Sequence, residues 1–124
     1  MKMRRYLVTG GTGFIGSALV KRLAKEGNKV RVLDNNLRGS PGRLKDVIDR
    51  IEMIDADIRD SAAVQDACEG IDCVCHLAYL NGTEFFYTKP ELVLDIGIKG
   101  IVNVIEASIS KGVKDFVLAS SSEV

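Results

Sequence analysis

An α/β fold, a parallel sheet with helices on both faces, is what this sequence predicts, and three observations carry the prediction. Apolar strand-like runs alternate with helical patterns from end to end, the sequence form of successive βαβ units. A glycine-rich stretch, GGTGFIGS at 10–17, sits between the first strand-like run and the first helical one. Glycines at 27, 70 and 112 each follow a helical stretch, where a left-handed C-cap position favours a residue without a Cβ. The 124 residues suit one domain, 1–124, with a buried core and no room for a second domain.

Taken in order, the first strand is expected over 5–9, around Tyr6, Leu7 and Val8, and the first helix over 14–26. A second strand over 29–33 runs into Asp34. The turn residues from Asn35 to Gly42 make this the loop expected to be most mobile, followed by a short helical piece near 42–48. A strand over 51–55 precedes a helix over 61–68, with Asp60 or Ser61 as its N-cap. A strand over 72–77, a helix over 90–111 with Pro90 in its first turn, and a strand over 115–120 complete the pattern. In that last helix Leu94, Ile98, Ile101, Ile105 and Ile109 recur at helical spacing and are expected to line one buried face, as core or interface.

Composition excludes several classes of function. Seventeen Lys and Arg balance seventeen Asp and Glu, and no basic stripe interleaved with aromatics is visible, which argues against nucleic acid as a partner. The N-terminal apolar run is too short for a signal-peptide core or a membrane span, so no membrane partner is expected and the default compartment is cytoplasmic. Cys68, Cys73 and Cys75 lack metal-ligand spacing and read as reduced core thiols. His76, the only histidine, reads as a packed structural residue. Asp55, Asp57 and Asp60 alternate at a strand end and need no metal to explain them, so no metal site is expected.

The glycines carry the strongest chemical signal. Gly11, Gly13 and Gly16 fit GxGxxG, while Gly10, Gly13 and Gly16 fit the wider GxxGxxG. The physical tasks are a tight turn at the strand end, close backbone approach to a pyrophosphate, and close packing of helix on strand. The helix starting near Phe14 aims its unpaired N–H groups and positive dipole end at phosphates. Asp34 follows at roughly the 20-residue distance of an acid that accepts from an adenosine ribose hydroxyl. These features predict a Rossmann-type, doubly wound parallel sheet of order 3-2-1-4-5, whose crevice collects the loops after all five strands at their carboxyl ends.

As a set, GGTGFIGS, LDNN at 33–36, DIRD at 57–60, HLA at 76–78 and FVLASSSEV at 116–124 resemble an extended short-chain dehydrogenase/reductase. Within that family they are most similar to the NAD-dependent epimerase/dehydratase group that acts on nucleotide sugars. The resemblance implies that Phe14 and Ile15 cover the pyrophosphate, that Asp34, Asn35, Asn36 and Leu37 hold the adenosine ribose, and that Asp57 and Ile58 face the adenine. It also implies that Leu77, Ala78 and Tyr79 run beneath the nicotinamide-side ribose. An acid at position 34 favours NAD over NADP, because a carboxylate repels a 2′-phosphate; Arg38 either contacts a phosphate or, the favoured expectation, stays solvated.

By the same resemblance, Ser121 hydrogen-bonds the sugar oxygen that loses its proton, while a tyrosine in a Tyr-x-x-x-Lys pair acts as base. The chain ends at Val124, so that pair and a sugar-nucleotide domain lie outside it, and the segment alone is expected to be inactive, cut after the fifth strand. Glu123 stands where dehydratases and decarboxylases of the family often carry an acid; it either assists chemistry beside a transient 4-keto group or is a loop carboxylate. Gly97 departs from the family, many members of which carry a cofactor-contacting asparagine there. The helix over 90–111 corresponds to one that forms a dimer bundle in relatives, which implies a homodimeric parent protein. The competing reading is a non-catalytic nucleotide-binding or interaction module that lacks the Tyr-x-x-x-Lys pair. Which sugar is used, and whether it is epimerised, dehydrated, decarboxylated or reduced, is not written in these residues.

Overall fold

The computed structural model describes residues 2–80 and 82–121. Its elements run β1 (Arg5–Thr9), α1 (Phe14–Lys25), β2 (Lys29–Asp34), a 3-10 helix (Pro41–Arg50), β3 (Ile51–Asp55), α2 (Ser61–Ala67), β4 (Cys73–His76), α3 (Thr83–Thr88), α4 (Pro90–Ser110) and β5 (Asp115–Leu118). All strand pairs are parallel and the order is β3-β2-β1-β4-β5, the predicted doubly wound arrangement. After β3 the chain returns to pair β4 with β1, which opens the crevice over the carboxyl end of β1.

The period of two along each strand sorts side chains between two cores. Leu7, Leu33 and Val74 pack with Val64 and Ala67 of α2 and Val104 and Ala107 of α4. On the other face Val8, Val30, Val32, Cys73 and Cys75 pack with Val20 and Leu23 of α1 and with Leu44 and Val47 of the 3-10 helix. The three cysteines are buried free thiols divided between these cores, and burial pushes the Cys75 thiol up to about 12, which removes its nucleophilic form at neutral pH. Asp60 is the N-cap of α2, accepting from the Ala63 N–H at 3.1 Å, and Pro90 sits in the first turn of α4.

Several expectations are corrected. The stripe of Leu94, Ile98, Ile101, Ile105 and Ile109 is not the buried face of α4: Leu94, Ile98, Ile105 and Ile109 are exposed, and Ile109 is 76% accessible. The helix packs instead through Val93, Ile96, Gly100, Val104 and Ala107, where small residues admit close approach; a Cβ at Gly100 would lie 2.2 Å from Ile58 Cδ1. A helix apolar on both sides does not declare its inner face by spacing alone. The six-residue α3 was not anticipated, since it buries no residue and carries no apolar period. The piece near 42–48 is a 3-10 helix spanning 41–50, β4 is one residue shorter at each end than expected, and β5 stops at Leu118. Among the described residues no helix is long and apolar enough to cross a membrane, and no group of His, Cys, Asp or Glu is arranged to hold a metal.

Candidate dinucleotide site

The glycine loop closes the end of β1. Gly10 adopts φ +74° and donates its N–H to Leu33 O of the neighbouring strand at 2.9 Å. A Cβ there would meet the Ala78 nitrogen at 2.9 Å, and one at Gly16 would meet Gly10 O at 2.1 Å. A Cβ at Gly11 would press Val32 Cγ1 at 2.6 Å. Gly13 differs: its nearest neighbour would be Gly10 O at 3.3 Å, and its other side is open. It is the extended N-cap of α1 and offers no side chain, so the first-turn N–H groups of Phe14, Ile15 and Gly16 lack the intrahelical acceptors that later residues have. The Phe14 and Ile15 side chains stand exposed at this helix start.

Asp34, at the end of β2, is organised by a residue the sequence reading missed. Its Oδ2 accepts from the Thr12 N–H at 3.0 Å and from the Thr12 hydroxyl at 2.7 Å, while Oδ1 accepts from the Asn36 N–H at 2.9 Å. Of about four acceptor directions on a carboxylate, one remains, on Oδ1. Thr12 is fully buried, and its carbonyl accepts from the Ser40 N–H and from Arg43 Nη1, both at 2.9 Å. The loop after β2, expected to be the most mobile, is thereby fastened to the glycine loop. Asn35 turns back to accept from the Leu37 N–H at 3.1 Å, and the Leu37 side chain is exposed. Arg38 does not simply stay in solvent: its guanidinium lies over the Phe85 ring at 5.7 Å, close to Gly82 at the start of α3.

Past β3, the Asp57 carboxylate is gripped by Arg59, which also reaches Asp95 on α4. The Arg59 guanidinium holds the Asp57 carboxyl below its ordinary range. The Ile58 side chain is buried in the core against α4, and its carbonyl accepts from Asn103 Nδ2 of that helix at 3.0 Å. Neither Arg59 nor Asp95 was singled out from the sequence.

At the exit of β4 a buried polar knot sets the loop. The Thr9 oxygen accepts from the Leu77 and Ala78 N–H groups, each at 3.1 Å, and lies 2.7 Å from His76 Nδ1. The Leu77 N–H is shared with the Thr9 carbonyl, also at 3.1 Å; with the hydroxyl accepting on this side its proton is directed to Nδ1, an arrangement that calls for a neutral His76 with its hydrogen on Nε2. Burial draws the imidazole down to about 4, in agreement with that state. His76 is structural, as expected, and Thr9 is its unanticipated partner.

Tyr79 lies beyond this knot with its ring against Gly97 of α4, where a Cβ would come within 2.5 Å of Tyr79 Cε2. The departure at position 97 thus has a steric counterpart: the tyrosine ring fills the space a side chain there would take. Gly97→Ala should gain about 1 kcal/mol of helix stability in a Tyr79→Ala background and close to nothing with Tyr79 present, as read by a double-mutant cycle of urea melts. Equal gains in both backgrounds would mean the ring does not police this position. Ser121 lies three residues past β5, exposed, beyond the same carboxyl edge of the sheet, and Glu123 lies outside the described residues.

The loops after all five strands therefore gather at one edge, and the sequence around them matches the NAD dependent epimerase/dehydratase family over residues 6–124. The chain belongs to that family. It is 33% identical over 98% of its length to a UDP-N-acetyl-alpha-D-glucosaminuronate decarboxylase of Bacillus cytotoxicus, of which it spans 37%. It is 34% identical over 97% of its length to a UDP-glucose 4-epimerase chain of Klebsiella pneumoniae, spanning 91% of that chain. Among solved structures, the UDP-glucose 4-epimerase of Stenotrophomonas maltophila with bound NAD and formylated UDP-arabinopyranose superposes with a TM-score of 0.90 at 28% identity, over 98% of this chain and 38% of that one.

Proposed function

We propose that the chain is the NAD-binding portion of an enzyme that acts on a nucleotide sugar, oxidising a sugar hydroxyl transiently by hydride transfer. The observation that carries this reading is the pairing of an open approach at Gly13 with a single remaining acceptor direction on Asp34. NAD bound there would supply a hydride acceptor for the sugar carbon. Gly13 would admit the pyrophosphate to the first-turn N–H groups of α1 while Phe14 and Ile15 cover it. Asp34, fixed in plane by Thr12, would accept from a ribose hydroxyl, and its charge would disfavour a 2′-phosphate. Asn35, Asn36 and Leu37 would flank that ribose, with Arg38 closing the loop toward α3. Leu77, Ala78 and Tyr79 would lie under the nicotinamide half. Ser121 would hold the reacting sugar oxygen, and Glu123 would serve proton transfer beside it, with the basic tyrosine contributed by further chain.

Relatives named for decarboxylation, 4-epimerisation and, among structural neighbours, 4,6-dehydration support a nucleotide-sugar substrate without selecting one reaction. Exposed Phe116, Val117 and Leu118 on β5 support a parent in which more chain covers this edge. The exposed apolar stripe of α4 supports a homodimer. Buried unpaired thiols support a reducing, cytoplasmic setting.

Calorimetric titration with NAD and NADP tests the reading. NAD is expected to bind and NADP to bind more weakly. Asp34→Ala is expected to weaken NAD by about 1–3 kcal/mol, the scale of a charged hydrogen bond. Equal affinity for the two cofactors, or none for either in a folded sample, counts against it.

A further inference from the structure

Thr12 joins the glycine loop to the loop after β2, and it limits how much of Asp34 a ligand can reach. Fully buried, it donates its N–H at 3.0 Å and its hydroxyl at 2.7 Å to the same oxygen, Asp34 Oδ2. The Asn36 amide also stands 3.0 Å from that hydroxyl, but the single proton goes to the closer and charged acceptor. Oδ1 takes the Asn36 N–H at 2.9 Å, in a turn that Asn36 completes in the left-handed region at φ +62°. Gly39 packs against the threonine hydroxyl, where a Cβ would overlap Oγ1, and closes it in beside the carboxylate.

Both acceptor directions on Oδ2 are thereby filled, while Oδ1 keeps one. The two oxygens also face different ways. Oδ2 meets the glycine loop through Thr12, and Oδ1 meets, through Asn36, the loop that leaves β2. That loop leans toward the exit of β3, where the Asn35 side chain bonds to Asp57. A dinucleotide with its pyrophosphate at the start of α1 and its ribose on Asp34 carries its base on the same side, because β3 pairs with β2 away from β1. In a ribose, C3′ adjoins the carbon that leads to the phosphate, and C2′ adjoins the carbon that carries the base. The 3′-hydroxyl therefore falls on the Thr12 side, against a saturated oxygen, and the 2′-hydroxyl falls on the side of Oδ1, which accepts it. We propose that Thr12 is a positioning residue that withdraws Oδ2 from the ligand, so that Asp34 reads the 2′-hydroxyl of the adenosine ribose and not the 3′-hydroxyl. The inference rests on the NAD reading above and narrows it to one hydroxyl, chosen by a buried threonine.

Calorimetric titrations compare NAD with two analogues, one lacking the 2′-hydroxyl and one the 3′-hydroxyl of the adenosine ribose. The unaltered protein is expected to bind the 2′-deoxy analogue about tenfold more weakly than NAD, the scale of one charge-assisted hydrogen bond, and the 3′-deoxy analogue within about twofold. Thr12→Val keeps the N–H and the branched shape but opens one direction on Oδ2, so a penalty of about fivefold for losing the 3′-hydroxyl should appear where none existed. Thr12→Ser, which keeps the hydroxyl donor, should retain the pattern of the unaltered protein. A merely structural role for Thr12 would weaken NAD and both analogues together and leave these ratios unmoved. If Thr12→Val fails to fold, Thr12→Ala replaces it, and the contrast between the analogues in the unaltered protein needs no variant. Equal binding of the two analogues by the unaltered protein overturns the inference, as does a larger loss with the 3′-deoxy analogue. Ratios that stay fixed in Thr12→Val, or a Thr12→Ser pattern that follows the valine, overturn it as well, and each of these results leaves NAD binding itself standing. Failure of a folded, unaltered protein to bind NAD removes the NAD reading and this inference with it.

Discussion

Gly16→Ala should destabilise the fold by about 3 kcal/mol, whereas Gly13→Ala should change it by less than about 0.5 kcal/mol. The two substitutions add the same methyl group, three residues apart, within one motif. At Gly16 that methyl would sit 2.1 Å from Gly10 O and 2.9 Å from Gly10 C, both backbone atoms of a loop that Gly10 ties to Leu33. Relief requires α1 to move off the sheet, and Val20 and Leu23 of that helix are buried in the core beneath it. At Gly13 the backbone is extended, with φ −74°, which alanine adopts freely, and the nearest contact of 3.3 Å yields with a small shift. A modest gain from restricting the unfolded chain offsets that shift.

Ligand binding should reverse the ranking of concern. Gly13 is the glycine whose open side faces outward, so its alanine variant should bind NAD at least about tenfold more weakly while melting like the parent. Urea melts and calorimetry on the two variants check this together. Equal stability losses, or a Gly13→Ala protein that binds NAD normally, would mean the loop does not divide its work in this way.

That division was not readable from the glycine spacing, which serves GxGxxG and GxxGxxG alike. Strands and helix ends were legible because their signals are local: an apolar run in β1, alternation along β2, glycines past the ends of α1, α2 and α4, an aspartate ahead of α2; the sheet order followed from the glycine loop and the βαβ pattern. The polar contacts that shape the crevice join residues far apart in the chain. Thr12 meets Asp34 across 22 positions, Arg59 meets Asp95 across 36, and Thr9 meets His76 across 67. Each depends on which strands are neighbours and in what register, and Thr9 faces His76 because β1 and β4 pair at those residues. The inner face of α4 was misread for a related reason. Its outward isoleucines are as regular as its inward valines, and only Gly100 and Ala107 mark the side that closes on α2 and Ile58.

The Thr9–His76 pair has a consequence in acid. A folded value of about 4 for His76 lies below the ordinary 6.5, so between these limits the unfolded chain binds a proton that the folded chain refuses. The stability this contributes is complete above about pH 6.5 and is lost as pH falls toward 4, a change of about 3 kcal/mol. Asp57 and Asp95 are also lowered, but from an ordinary value of 3.8, so their contribution is shed mainly below that pH and leaves the window above it to the histidine. Protonation has a local cost as well. A proton on Nδ1 would face the Thr9 hydroxyl, whose lone pairs already take the Leu77 and Ala78 N–H groups, and would leave its O–H without an acceptor. The loop after β4 should therefore loosen in the same pH range, and NAD affinity should fall with it. Because His76 is the only histidine, nitrogen NMR of the imidazole reads both quantities without assignment: the hydrogen on Nε2 at neutral pH, and titration near 4. Thr9→Ser should preserve both readings. Thr9→Val, which strands the Ala78 N–H and leaves the Leu77 N–H only the Thr9 carbonyl, should cost about 1–3 kcal/mol and free the imidazole to choose its tautomer. A hydrogen on Nδ1 in the unaltered protein, or titration at or above 6.5, would show that the hydroxyl of Thr9 points elsewhere and that the loop beneath the nicotinamide half is held by other means.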